Sequence, residues 1–569
     1  MSSNATREPP RSSHGPSRRR VALLGLHSYS IPGLVLGSLL FAASLTPSLV
    51  PRPPLTQGVL GGLSLTVGYG LAVLAQTLWR WLGLPGPLRS PHAAAAGTAI
   101  AACLLVIFIA LAWSAGWQNR LRAVMDMEPI DSAGWFTIAG SALVVFAILL
   151  AAARLFSLLS RRLARRLATR LSGRLATLVA VILTAALFWS VGNGVLVQGA
   201  MRMADSSLRA LDLTIEDTVP RPMDTLKSGA PGSLLTWEGL GRRGRQMVAA
   251  GPTREQIEAV SGRSALEPLR VFVGLNSADT PRARADLALA ELIRIGAFER
   301  SALVIVTPTG TGWADPESQS ALEYVLNGDV ATVAVQYSYL SSWIALLAEP
   351  EYGLETAQEV FASVYGHWSG LPRETRPRLY LHGLSLGAYN SDLSHDLFQV
   401  IADPYHGALW SGPPFNTRTW RDVTRAREAG SPVWLPVFRD GSVVRFMGRN
   451  GAQSATPAPW GPYRIVFLQY ASDAVTFYDP AALWRKPAWL APPIGPDVSP
   501  DFVWIPIVTF LQLTFDIMFA VAPPAGHGHV YAFSDYVLAW AELTGAPGWT
   551  PEALATLRLP LSDGRQEDR

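Results

Sequence analysis

The chain has 569 residues, too long for one ordinary domain and enough for two or three. Hydrophobic residues make up 49% and charged residues 16%, a balance on the membrane side of the soluble norm of about 25% charged. The net charge of +4, with no basic and aromatic platform and no zinc spacing, excludes nucleic acid as an expected partner, and the single cysteine, Cys103, excludes an internal disulfide or a cysteine metal cluster.

After an expected cytoplasmic tail (1–30), five apolar runs are long enough to cross a hydrocarbon core, near 31–50, 58–78, 94–116, 134–153 and 175–197. They form an expected all-α transmembrane bundle over 31–200. None carries Asp, Glu, Lys or Arg at its centre, and Trp79, Trp113, Trp117 and Trp135 fall at run ends, as interfacial anchors do. Gln76 and Asn193 are weakly placed for a transport path, so anchoring is the expected role. Gly33 and Gly37 suit close helix packing. Arginines collect in the tail (Arg7, Arg11, Arg18, Arg19, Arg20) and in an expected loop between the fourth and fifth runs (Arg154, Arg161, Arg162, Arg165, Arg166, Arg170, Arg174). The positive-inside rule then puts the N-terminus in the cytoplasm. Five crossings deliver the rest of the chain to the outer, periplasmic face of a plasma (inner) membrane as a multi-pass protein.

Residues 201–264 read as a collar rich in turns. Within it Gly239–Arg245 is glycine-rich and basic, suited to anionic headgroups or, as favoured here, to a solvated loop, and Thr253 with Gln256 forms a capping box. From 265 to 545 strands and helices alternate, the pattern of a mostly parallel sheet with helices on both faces. Strands are predicted at 269–275, 302–308, 331–337, 378–383, 408–411 and 464–470, with helices at 282–298, 318–326, 354–367, 388–400 and 531–543. A tail follows from 546 to 569.

The strand at 378–383 runs into Gly383-Leu384-Ser385-Leu386-Gly387, a Gly-x-Ser-x-Gly sequence between strand and helix. Such a turn is strained and exposes the serine, and it leaves no room for a Cβ at either flank. Ser385 is therefore the candidate nucleophile. Such a serine needs a base and an orienting acid, in the chain order Ser, acid, His. His395 and His406 precede any acid-bearing strand and read as structural. The base is then His529 or His527, with His529 favoured because it opens the following helix. Two histidines at this spacing could also ligate a metal, but no carboxylates complete a site, so no metal and no cofactor are expected. The acid is Asp473, after the strand at 464–470, with Asp479 the fallback. The oxyanion donors are the N–H of Leu386 and one N–H from the glycine turn Thr309, Gly310, Thr311, Gly312. Between the strands ending at 411 and beginning at 464, residues 412–462 read as a lid whose Trp420, Trp434, Phe438 and Trp460 suit an apolar roof.

The runs Thr307–Trp313, Gln336–Leu340, Gly383–Gly387 and Gly526–His529, with Trp237–Arg245 in the collar, carry a resemblance over nearly the whole chain. The chain resembles a bacterial family of multi-spanning membrane proteins with a C-terminal α/β-hydrolase domain. The resemblance implies a serine-hydrolase triad and leaves the substrate open.

The expected function is a membrane-anchored serine hydrolase that cleaves a small-molecule or lipid-linked ester or thioester. The apolar lid and the anchor suit an acyl chain. Acyl transfer shares the acyl-enzyme and is the near alternative. A non-catalytic envelope-organising protein on the same fold is the alternative of another class; loss of any triad member would favour it.

Overall fold

The computed structural model describes residues 29–84, 93–197, 208–209, 211–212, 214–216, 218–340, 353–454 and 458–557. Most of the expected N-terminal tail, with its arginines, and the end of the C-terminal tail lie outside the described residues.

The helical domain contains α1 (Ile31–Ser44), α2 (Pro54–Trp81), α3 (Ala93–Val124), α4 (Trp135–Leu167) and α5 (Gly173–Trp189), the last continued by a π-helical turn over Ser190–Val197. Among the described residues four helices are long and apolar enough to cross a membrane. The first run is the exception. Its 14-residue helix is about 21 Å long, short of a core about 30 Å thick. It stops because Pro47 bars the helical conformation at Thr46 and brings no N–H of its own. Residues 45–53 instead form an irregular connection, buried from 47 to 52. Arg154 to Arg166, expected in a loop, belong to α4, which continues to Leu167 because no helix breaker precedes that point. The bundle packs tightly where Gly37 meets Gly68, since a Cβ on Gly68 would lie 2.8 Å from the Gly37 Cα.

Among the described residues of the C-terminal part, seven parallel strands form one sheet: β1 (Leu269–Val273), β2 (Ala302–Thr307), β3 (Val330–Val335), β4 (Arg378–Leu384), β5 (Gly407–Ser411), β6 (Val444–Met447) and β7 (Arg464–Leu468). Their order is β1-β3-β2-β4-β5-β7-β6. The runs ALVIVT of β2 and VATVAV of β3 are buried at every position, which requires cover on both faces. Helices Pro281–Arg294 and Leu354–Ser369 pack on each other, as do Pro316–Val325 and Phe533–Thr544. The chain jumps over β2 in passing from β3 to β4, so the carboxyl ends of β2 and β4 flank a reversal of strand order, the usual crevice for a site in such sheets.

Three expectations for this half change. The helix predicted over 388–400 is two helices, Leu386–Asp392 and Leu397–Val400, because Asp396 and Gln399 form a new capping box. The stretch read as a lid carries helix Arg418–Arg425 and the edge strand β6. Its indoles are fixed: Trp420 donates to Gln469 Oε1 (2.6 Å), Trp434 to the Pro493 carbonyl (3.0 Å) and Trp460 to Glu542 Oε1 (2.7 Å). The collar's basic run is not the solvated loop expected. It begins helix Gly241–Ala249, with Arg242 paired to Glu216 (2.7 Å) and Arg245 buried against the Thr214 carbonyl (2.5 Å). The Thr253 capping box forms as expected.

The two domains share one apolar core. Leu49 and Val50 from the α1–α2 connection and Leu121 and Met125 from the end of α3 pack in the same cluster as the strands. Both the α1–α2 and the α3–α4 connections thus face the hydrolase-like part. The arginine-bearing end of α4 lies 33 residues, or about 50 Å, along the helix axis from that face.

Candidate active site

The turn after β4 is built on two close approaches. Any Cβ on Gly383 would strike the backbone of Gly387, and any Cβ on Gly387 would strike the Thr307 carbonyl at the end of β2. Between them Ser385 holds φ +57°, ψ −129°, a conformation strained for any residue but glycine. That strain is the sign of a serine held out on a sharp strand-to-helix elbow. Leu386 opens the following helix, so its N–H is among those a helix leaves without an internal partner.

Asp473 lies in the turn after β7, fully buried. Its Oδ1 accepts from the Val475 N–H (2.8 Å). Its Oδ2 receives three groups: the Thr476 hydroxyl (3.2 Å), His529 Nδ1 (2.7 Å) and the Tyr531 hydroxyl (2.7 Å). With Nδ1 committed to the carboxylate, Nε2 of His529 is buried and makes no hydrogen bond among the described residues. It is the ring atom left to take a proton.

The serine and the Asp473–His529 pair meet through β5. The Ser385 N–H donates to the Ser411 carbonyl (3.0 Å), and the next residue, Gly412, donates to the Leu468 carbonyl at the end of β7 (2.9 Å). Gly412 has φ +50°, and a Cβ there would come within 2.5 Å of His529 Cε1 and 3.0 Å of Asp473 Oδ2. The ring therefore lies against bare backbone one residue beyond β5, the sheet neighbour of the strand that carries the serine turn.

The turn after β2 lies beside the elbow because Thr307 pairs with Gly383 in the sheet. The Thr309 N–H donates to the Trp313 carbonyl and the Gly312 N–H to the Thr309 carbonyl, both at 2.9 Å. Those two amides are closed within the turn, which removes Thr309 as a donor. Gln336, fully buried after β3, clamps the turn by donating to the Thr311 carbonyl (3.2 Å) while accepting from the Leu275 N–H (3.1 Å).

His527 points elsewhere. It lies 3.6 Å from Asp126 of the α3–α4 connection, and burial, then the charge of Arg449, holds its pKa below the usual histidine value. Asp479 caps the short helix after it, accepting from the Ala481 N–H (2.8 Å). His395 and His406 are structural, bonded to the Tyr405 hydroxyl (3.1 Å) and the Leu379 N–H (3.1 Å). His382, in β4 immediately before Gly383, sits between Ser318 Oγ (2.9 Å) and the Leu409 carbonyl (2.8 Å). Burial pulls its pKa to about 4, so it is neutral at physiological pH.

Two residues at this site escaped the sequence reading. Tyr531 is one; burial and then the Asp473 carboxylate raise its phenol well above the ordinary tyrosine value, so it stays a hydrogen-bond donor. Only the short spacing from His529 could have flagged it. Ser472 is the other. Its hydroxyl donates to Asp497 Oδ2 (2.6 Å) and accepts from the Gly528 N–H (2.8 Å), which ties the histidine loop to the acid's turn.

No curated protein and no solved structure matches the chain. Two family models do: one described as the N-terminus of an alpha/beta-hydrolase family over residues 45–252, and one described as an alpha/beta-hydrolase family over residues 269–557. The second alone spans half of the chain and holds the whole sheet, the serine elbow and the Asp473–His529 pair, and the chain therefore belongs to this α/β-hydrolase family, with both its N-terminal and its hydrolase parts present.

Proposed function

We propose that the protein is a membrane-anchored serine hydrolase that cleaves an ester or thioester through an acyl-enzyme, with Ser385, His529 and Asp473 as its triad. The observation that carries this is the buried Asp473–His529 pair against Gly412, the residue after Ser411, whose carbonyl accepts from the N–H of the strained Ser385. Ser385 Oγ attacks the acyl carbon as its proton passes to His529 Nε2. Asp473 fixes the ring through Nδ1–H and stabilises the imidazolium that forms. The Leu386 N–H and an N–H from the turn after β2, with Thr311 the candidate, receive the oxyanion. The imidazolium then returns the proton to the leaving group, and water, activated by the same ring, releases the acid.

A lipid-borne acyl group is the substrate class favoured. Trp484, Val503 and Val521 are exposed apolar residues on segments joined to helix Val508–Met518, and that helix packs on α1 and α2. Such a surface suits the level of the headgroups. The test is a panel of acyl esters and thioesters of rising chain length, offered to the full chain in detergent or nanodiscs. Turnover that grows with chain length supports the reading. No turnover of any member by folded protein contradicts it.

Gly412→Ala is expected to lower turnover about 10²-fold, since the new methyl displaces the base by a fraction of an ångström or more. Kinetics beside a circular dichroism spectrum decide this, with the spectrum unchanged.

The orientation proposed is hydrolase outside the cytoplasm. The α1–α2 and α3–α4 connections meet the hydrolase part, while the arginines of α4 lie at the opposite end of the bundle, the end that the positive-inside rule keeps in the cytoplasm. A reporter active only outside the cytoplasm should work when fused after Thr550 and fail when inserted at Leu171. The reverse pattern would overturn the orientation.

A further inference from the structure

Building on the triad reading above, we propose that the helical domain positions the base as well as anchoring the enzyme. Its α1–α2 and α3–α4 connections fix the loop that carries His529, and Asp126 and Ser48 act as positioning residues.

The loop in question has little support of its own. Between helix Val508–Met518 and helix Phe533–Thr544 the only sheet-like feature among the described residues is an isolated bridge between His527 and Val530. The backbone of His529 is instead fixed by its N–H, which donates to the Ala520 carbonyl (2.8 Å). Ala520 lies in the turn that ends this helix, four residues past Asp516, so whatever holds Asp516 bears on the placing of that carbonyl.

The α1–α2 connection holds it. Asp516 is fully buried and accepts from the Ser48 hydroxyl (2.9 Å) and the Leu49 N–H (3.0 Å), with Arg52 Nε at 3.6 Å. Gln512, one turn earlier on the same helix, donates to the Thr46 carbonyl (2.9 Å). A buried carboxylate of this kind is costly to part from its partners, so the grip is firm.

The α3–α4 connection reaches the same loop from another side. Asp126 pairs with Arg449 and lies 3.6 Å from His527 Nε2, two residues from the base. Two residues beyond Arg449, the Gly451 N–H donates to Asp535 Oδ1 (3.1 Å), and Asp535 Oδ2 receives the Tyr470 hydroxyl (2.6 Å). The Tyr470 ring stacks on Tyr531, with centroids 4.5 Å apart, and Tyr531 bonds Asp473. One membrane-side carboxylate thus meets the base's loop directly and, through Arg449 and the segment after it, the support of the acid. A tether needs neither contact, because the peptide chain after α5 already joins the two domains.

The experiment uses the full chain in nanodiscs and two variants, Asp126→Asn and Ser48→Ala. Asp126 is exposed, whereas Ser48→Ala removes two buried hydrogen bonds to charged groups, one to Asp516 and one from Arg52, so a melting curve certifies that each variant folds. Amide exchange in the peptide 520–531 is expected to rise at least about fivefold in each. kcat is expected to fall about tenfold in Asp126→Asn with KM held within about twofold, and Asp126→Glu should recover most of the loss. Unchanged exchange in both variants overturns the proposal, as does raised exchange with unchanged kcat. A Ser385→Ala chain that keeps full turnover would sink the triad reading instead, and the exchange data would still show whether the connections hold the loop.

Discussion

Ser385→Ala is expected to lower kcat by at least ~10³-fold on every ester the protein turns over, with KM little changed. The backbone at 385 is held in its strained conformation by the Gly383–Gly387 contact and by the bond from its N–H to the Ser411 carbonyl, neither of which involves the hydroxyl. The fold should survive the change, and the substrate surface with it. Only the nucleophile is lost. The strain at φ +57° should ease little, because alanine carries the same Cβ. Steady-state kinetics on purified full chain, with a melting curve to certify folding, decide the matter. Full activity in this variant would end the serine-hydrolase reading.

His529→Ala should match that loss, and Asp473→Asn should cost ~10³- to 10⁴-fold by presenting the wrong tautomer of the ring. His527→Ala should cost about tenfold, as a disturbance of the loop. The distinction rests on partners. Asp473 Oδ2 lies 2.7 Å from His529 Nδ1, while His527 faces Asp126 across the domain junction at 3.6 Å. Tyr531→Phe leaves the carboxylate one hydrogen bond short and falls between these extremes. Kinetics on the four variants give the ranking, and a His527→Ala enzyme as dead as His529→Ala would reassign the base.

The serine elbow, the partnership of Asp473 with a following histidine, and the alternation of strand and helix are legible in the sequence from local signals and chain order. Gly383 and Gly387 are demanded by a turn spanning five residues, and the β2 and β3 strands are continuous apolar runs. What escaped is set at a distance. β6 is four residues, VRFM, in a long tract of prolines and tryptophans, and it becomes a strand only because β7 offers an edge. Gly412 looks like any glycine after a strand until His529 folds over it. Thr309 looked like a donor until Trp313 closed the turn.

The membrane half shows the same division. Apolar run length found all five helices, but the length of the first was cut by Pro47, and the end of α4 was extended past its arginines. Asp516 and Ser48 are 468 positions apart in sequence, so no local pattern could announce that the first connection of the bundle grips the helix before the histidine loop.

The central claim is that Ser385 is a nucleophile activated by His529. Full chain in native membranes, treated with a fluorophosphonate and digested for adduct mapping, tests it most directly. The account predicts one modified serine, Ser385, with labelling absent in Ser385→Ala and slowed by at least ~10²-fold in His529→Ala. Folded protein left unlabelled at Ser385, or labelled there as fast without His529 as with it, would contradict the account.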